Sequence, residues 1–237
     1  MTVMKRPGLG LRPQWALLLF AGLVALIALA LAPADDEPGS GRWESAIAAF
    51  ELEDRDNPPP KGALLFVGSS SIRRWDLQES FPDLETINRG FGGSRIEDSV
   101  FYADRLVIPH EPRLIVFYAG DNDIQSGKSP EQVAEDFQSF VGVVREGLPA
   151  VKILFLSIKP SLSRWSKIEL IREANRLVET ICVDDQQLEY VDLDQPMLGP
   201  DGMPRAELFV ADGLHLSPQG YEVWADVLRP RLEDASK

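Results

Sequence analysis

The sequence predicts a three-layer α/β/α domain built around a five-stranded parallel sheet. Three observations carry that prediction. Short apolar runs recur at Leu64–Val67, Leu84–Asn88, Leu114–Ala119, Val151–Ile158 and Tyr190–Leu193, the length and character of strands buried on both faces. Segments of helical period alternate with them at about Ile96–Leu106, Pro130–Glu146, Ile168–Val183 and Pro218–Glu233. Strand alternating with helix implies a parallel sheet joined by right-handed crossovers with helices on both faces. A chain of 237 residues with 44% hydrophobic content suffices for one such core, and neither an internal repeat nor a second domain is visible.

From the N-terminus, Lys5, Arg6 and Arg12 precede Trp15–Ala32, an unbroken run of 18 apolar or small residues, and Asp35, Asp36 and Glu37 follow it. A segment apolar on every side is a membrane segment rather than a surface helix, and at about 1.5 Å per residue this one just spans a bilayer core. Positive charge before it and acid after it place the body outside the cytoplasm. Residues 1–34 are therefore expected to be a retained signal anchor or a cleaved signal peptide. Ala32-Pro33-Ala34 fits a cleavage site, but the run exceeds the roughly 7–15 residues of a secretory core, which favours the anchor. No cysteine follows the run to serve as a lipoprotein anchor.

Residues 35–41 read as a linker, and the domain occupies 42–237. Arg42–Asp54 places Trp43, Ala46, Ile47, Ala49 and Phe50 on one face, a helix laid against the body. Pro58-Pro59-Pro60 ends it and delivers the chain to the first strand. The net charge of -13 argues against nucleic acid as a partner, since phosphates need a basic surface. Cys182 is the single cysteine, so no intramolecular disulfide forms, and its helical spacing from Ile171, Ala174 and Val178 makes it a core thiol. Two histidines and no Cys/His cluster offer no metal site, and no cofactor is implied.

The chemistry-bearing residues stand in the loops that follow strands. These loops are Gly68-Ser69-Ser70, Asn88 to Gly93, Gly120-Asp121-Asn122-Asp123 and, after the fifth strand, Asp212-Gly213-Leu214-His215. A parallel sheet gathers them all at its carboxyl edge, where open α/β sheets bind ligands. His110 precedes the third strand, lies at the opposite edge and reads as structural. The Lys159–Trp165 stretch follows the fourth strand and either lines the substrate pocket or is a surface loop packed by Trp165.

In their order and spacing these four blocks resemble those of the SGNH hydrolases, also called the GDSL esterase/lipase family, over essentially all of Arg42–Leu232. The resemblance implies the flavodoxin-like SGNH hydrolase fold. It assigns Ser70 as nucleophile, Asp212 and His215 as its partners, and Ser70, Gly93 and Asn122 as oxyanion donors. The family usually carries Gly-Asp-Ser where this chain has Gly68-Ser69-Ser70, and Ser69 is expected to replace that aspartate by hydrogen-bonding locally. The residue types suit the task. A hydroxyl needs a base such as His215 near neutrality, a carboxylate fixes the imidazole, and N–H donors receive the oxyanion.

The function expected is a serine esterase working through an acyl-enzyme on a small-molecule or carbohydrate ester. The loops 157–165 and 196–210 offer only scattered apolar side chains, so short acyl or acetyl groups are expected. An acyltransferase would use the same residues, and a non-catalytic module binding phosphate or sugar through the Gly68–Ser71 loop would need neither Asp212 nor His215.

Overall fold

The computed structural model describes residues 1–2 and 41–235. In chain order its regular elements are α1 (Glu44–Asp56), β1 (Leu64–Gly68), the short helices α2 (Ser70–Arg73) and α3 (Leu77–Ser80), and β2 (Thr86–Gly90). There follow α4 (Ile96–Phe101), α5 (Ala103–Leu106), β3 (Leu114–Tyr118), α6 (Asp121–Ser126), α7 (Pro130–Gly147) and β4 (Lys152–Leu156). The chain ends on α8 (Ile168–Val183), β5 (Leu188–Val191) and α9 (Pro218–Asp234).

The five strands form one parallel sheet in the order β2-β1-β3-β4-β5. Alternate residues along each strand face opposite layers. Leu65, Val67, Ile115, Phe117, Ile153 and Phe155 join the core beneath α1, α4, α7 and α8. Leu64, Phe66, Val116, Tyr118, Leu154 and Leu156 join the core beneath α3 and α9. Both faces are therefore buried, as the continuous apolar runs require. The helix ends follow local chemistry. Ser129 and Gln132 form a capping box before α7, with Pro130 at its first position, and Ser217 caps α9 ahead of Pro218.

The elements differ from expectation at four places, each for a local reason. β2 lies two residues later than its apolar run, because Leu84 turns back on Phe81. Its polar end is buried all the same: Arg89 pairs with Asp54 of α1, and the Asn88 amide donates to the carbonyls of Ile72 and Trp75. β5 likewise runs Leu188–Val191 rather than Tyr190–Leu193. The helix expected over Ile96–Leu106 breaks at Tyr102, whose ring is buried edge-on against Phe91 and Phe101. The polar stretch Asp121–Ser126 forms the unexpected α6, bracketed by Gly120 and Gly127.

In this strand order the chain leaves β1 toward β2 and leaves β3 toward β4, so connections diverge between neighbouring strands β1 and β3. The crevice for a ligand opens at the carboxyl ends of those two strands. Cys182 is buried on α8, and burial pushes its thiol up to about 12, so it is a core residue rather than a nucleophile. Among the described residues no helix is long and apolar enough to cross a membrane. The expected membrane segment at 15–32, and all of the linker except Gly41, lie outside the described residues.

Candidate active site

Ser70 owes its position to the end of β1. Gly68 adopts φ +139°, and a Cβ there would stand 1.9 Å from the carbonyl oxygen of Tyr118 on β3. Only glycine permits that approach. The Tyr118 carbonyl then accepts the Ser69 N–H at 3.0 Å, and the chain turns into α2 with Ser70 as its first residue. Ser69 and Ser71 are each 1% exposed, while Ser70 is half-buried at the crevice. Ser69 does not hydrogen-bond locally as expected. Its hydroxyl is buried without a partner among the described residues, and the turn is held instead by backbone bonds and by the Tyr221 hydroxyl, which donates to the Ser71 carbonyl at 2.9 Å.

His215 reaches Ser70 from the loop before α9. Its Nε2 lies 3.0 Å from Ser70 Oγ, and its Nδ1 lies 2.6 Å from Asp212 Oδ2. The other Asp212 oxygen accepts the N–H groups of Leu214 and His215 at 2.8 and 2.9 Å. One carboxylate thus folds the turn and orients the imidazole. The hydrogen bond from His215 holds Asp212 well below the usual carboxylate range, so it stays ionised at any working pH. Its side chain is nevertheless 45% exposed, so solvent weakens its electrostatic share.

Gly93 and Asn122 stand in the segments that follow β2 and β3. Gly93 adopts φ +81°, and its loop is tied to β1 by the Phe91 N–H donating to the Gly68 carbonyl at 2.9 Å. Trp43, just before α1, packs its ring edge-on against Phe91 at 5.6 Å and braces the loop from outside. Neither Ser70 nor Gly93 spends its backbone N–H on another described residue. Asn122, in the first turn of α6, donates from Nδ2 to the Ser94 carbonyl at 2.9 Å, leaving one amide hydrogen over. Ser70, Gly93, Asn122 and His215 line one cavity of about 510 Å³, together with Gly92, Arg73, Arg74 and Leu214. All five sequence-predicted residues are brought together, with Asp212 behind His215.

Sequence reasoning missed Arg164. Its Nη2 donates to Asn122 Oδ1 at 2.9 Å, which fixes the amide with its nitrogen side available to the cavity. Arg164 also stands 3.1 Å from buried Asp121, which Lys159 approaches at 3.2 Å while its ammonium donates to the Tyr118 hydroxyl at 3.0 Å. Burial alone would raise Asp121, but these two cations outweigh it and hold its carboxyl below the ordinary value. The Lys159–Trp165 stretch therefore does not line the cavity: Leu162 and Ser163 are exposed and Trp165 packs on the core, as the surface-loop alternative expects, while Lys159 and Arg164 reach inward. It anchors the first turn of α6 through buried charge.

His110 lies where expected, on a turn ahead of β3, buried and 3.6 Å from Asp54. Burial, reinforced by the nearby Arg89 charge, depresses its pKa and favours the neutral ring. A hydroxyl beside an imidazole, with N–H donors across the cavity, is the equipment for acyl transfer by a serine nucleophile.

The profile of the GDSL-like lipase/acylhydrolase family matches residues 67–223. The chain is 26% identical over 196 residues to the human platelet-activating factor acetylhydrolase IB subunit alpha1, an alignment covering 80% of this chain and 82% of that one. Among solved structures it is similar to a GDSL-like lipase from Bacteroides thetaiotaomicron, with TM-score 0.68 and 18% identity over 80% of this chain and 98% of the other. A carbohydrate esterase family 3 structure from Talaromyces cellulolyticus aligns with TM-score 0.58 and 16% identity, over 72% and 96%. These two solved structures show the fold.

Replacing Asn122 by alanine should lower kcat about 10²–10³-fold, the usual loss for one oxyanion donor, with little change in KM. Arg164→Ala should reproduce part of that loss in the wild type and add almost nothing in the Asn122→Ala background. Fully additive losses in a double-mutant cycle would show that Arg164 acts elsewhere. His215→Ala should remove nearly all turnover and His110→Ala almost none.

Proposed function

The chain belongs to the GDSL-like lipase/acylhydrolase family of ester-hydrolysing enzymes, and from that premise we propose a serine esterase that removes short acyl groups through an acyl-enzyme on Ser70. The observation that carries this reading is the run of contacts from Ser70 Oγ to His215 Nε2 and from His215 Nδ1 to Asp212. His215 takes the Ser70 proton as the oxygen attacks the ester carbonyl, and Asp212 stabilises the imidazolium that forms. The Ser70 and Gly93 N–H groups and the Asn122 amide receive the oxyanion. His215 then protonates the departing alcohol, and a water activated by the same nitrogen releases the acid. The family's description as acylhydrolases favours water over an alcohol as acceptor. A binding module would leave the Asp212–His215 pairing without a purpose.

Short acyl groups are supported by the cavity lining, where Leu214 is the one apolar side chain among the described residues. The relative just described, an acetylhydrolase by name, points the same way. Each methylene in an apolar groove contributes about 0.8 kcal/mol, which a cavity without a groove does not return. The body is proposed to stand outside the cytoplasm, tethered by residues 15–32. The charge asymmetry and apolar length of the sequence support that placement.

On p-nitrophenyl esters, kcat/KM should be highest at acetate or propionate and fall by octanoate. A steady rise to decanoate would reject the short-acyl reading, and no hydrolysis at any length would reject the esterase. The full chain should sediment with membranes and resist extraction by high salt, because hydrophobic burial rather than charge holds it. A mature N-terminus at Asp35 would refute the anchor.

A further inference from the structure

The chain is acidic, with 37 carboxylate side chains against 24 Lys and Arg. Most described cations are accordingly neutralised. Arg105 is shared by Glu44 and Glu51, Lys128 by Glu97 and Asp136, Arg89 is held by Asp54, and Arg145 by Asp185. Arg42, Arg73 and Arg74 depart from this pattern: among the described residues none of the three is ion-paired. All three are exposed, and all three stand at one place.

That place is the catalytic mouth. Arg73 and Arg74 line the same cavity as Ser70 and His215, and no carboxylate among the described residues lines it. A Cβ on Gly92 would be 3.0 Å from Arg73 Nη1 and 3.9 Å from the Ser70 Cβ, so the guanidinium lies across the loop facing the nucleophile. A Cβ on the next residue, Gly93, would be 3.8 Å from Arg42 Nη2 and 3.5 Å from the Trp43 ring. Arg42 is itself seated on that ring, 4.6 Å from guanidinium carbon to centroid, which limits its freedom while leaving its N–H edges without a hydrogen-bond partner among the described residues. Past Arg73 and Gly92 a second cavity of about 750 Å³ continues along α1, lined by Arg42, Trp43 and Phe50 and also by Glu53 and Asp54, the two carboxylates that Arg89 pairs. Two guanidiniums with no carboxylate partner among the described residues thus flank the passage from the nucleophile into a space far larger than an acetyl group needs.

Resting on the esterase reading, we propose that Arg42 and Arg73 form an anion subsite, and that the substrate is an ester whose alcohol part carries a carboxylate or similar anion. The short acyl group sits at Ser70 while the larger alcohol extends over Gly92 and Gly93 into the α1 cavity. Arginine suits the role because its planar fork holds an oxyanion group bidentately. In a protein of net negative charge, cations left without a carboxylate partner at the mouth also steer an anion toward it.

The test compares two esters of nearly the same shape on the full chain, 3-carboxyphenyl acetate and 3-carbamoylphenyl acetate. At low salt kcat/KM should favour the carboxylate by about tenfold or more, and the ratio should fall toward one as NaCl shortens the screening length. Arg73→Gln and Arg42→Gln should each reduce the ratio, the double variant should bring it to about one, and Arg73→Glu should invert it. The ratio reads selectivity in folded enzyme whichever way the absolute rate moves. A wild-type ratio near one with both esters hydrolysed overturns the subsite and leaves the esterase reading standing. Hydrolysis of neither ester overturns both. A preference for phenyl hemisuccinate over phenyl succinamate, without one between the two acetates, overturns the placement of the anion on the alcohol.

Discussion

The Tyr118 carbonyl at the end of β3 accepts the Ser69 N–H, and Gly68 must be glycine for that carbonyl to come so near. This closure pins the tips of β1 and β3 together where their onward connections part. Everything in the site is measured from it. Ser70 begins its helix one residue beyond the bond, and the Gly90–Gly93 loop hangs from the Gly68 carbonyl through the Phe91 N–H. Asn122 follows Tyr118 by four residues, on the first turn of α6. Only His215 arrives from a distant part of the chain, and its loop is closed by Asp212 and tied by the Ser163 N–H to the Gly213 carbonyl at 3.0 Å.

The first turn of α6 is held differently, by buried charge. Asp121, Lys159 and Arg164 make a largely buried cluster in which two cations offset one carboxylate, although Asp121 Oδ1 and Arg164 Nη1 have no hydrogen-bond partner among the described residues. One of its arms passes on to the Asn122 amide. In the proposed mechanism Asn122 donates to the developing oxyanion, a role that calls for no reorientation during reaction, and the bond from Arg164 would hold its amide so. The exposed Asp212 works under the opposite condition. Its influence on His215 runs through two short hydrogen-bonding contacts rather than through a dry environment.

Much of this was legible in the sequence because burial writes itself in apolar runs. The runs Leu64–Val67 and Leu114–Ala119 fall on the central strands Leu64–Gly68 and Leu114–Tyr118, buried on both faces, and their shortness favours a strand over a buried helix. The loop residues were legible once the runs were placed, since a parallel sheet sorts loops by edge, separating His215 from His110. What stayed hidden were polar groups buried by partners distant in sequence. Arg89 looks like the end of a strand until Asp54, 35 residues earlier, is seen to neutralise it. Arg164 looks like loop surface until Asn122, 42 residues earlier, is seen to accept from it. The expectation for Ser69 failed for a related reason: a hydroxyl next to a turn suggests a local bond, but burial left it none.

Ser70 as the residue activated by His215 is the point on which the functional account stands, and a fluorophosphonate probe reads it directly. Peptide mapping after labelling should find one adduct per chain, on Ser70, and none when His215 is replaced by alanine. An adduct on Ser69 or Ser71, or no adduct on a chain that still hydrolyses esters, would contradict the account.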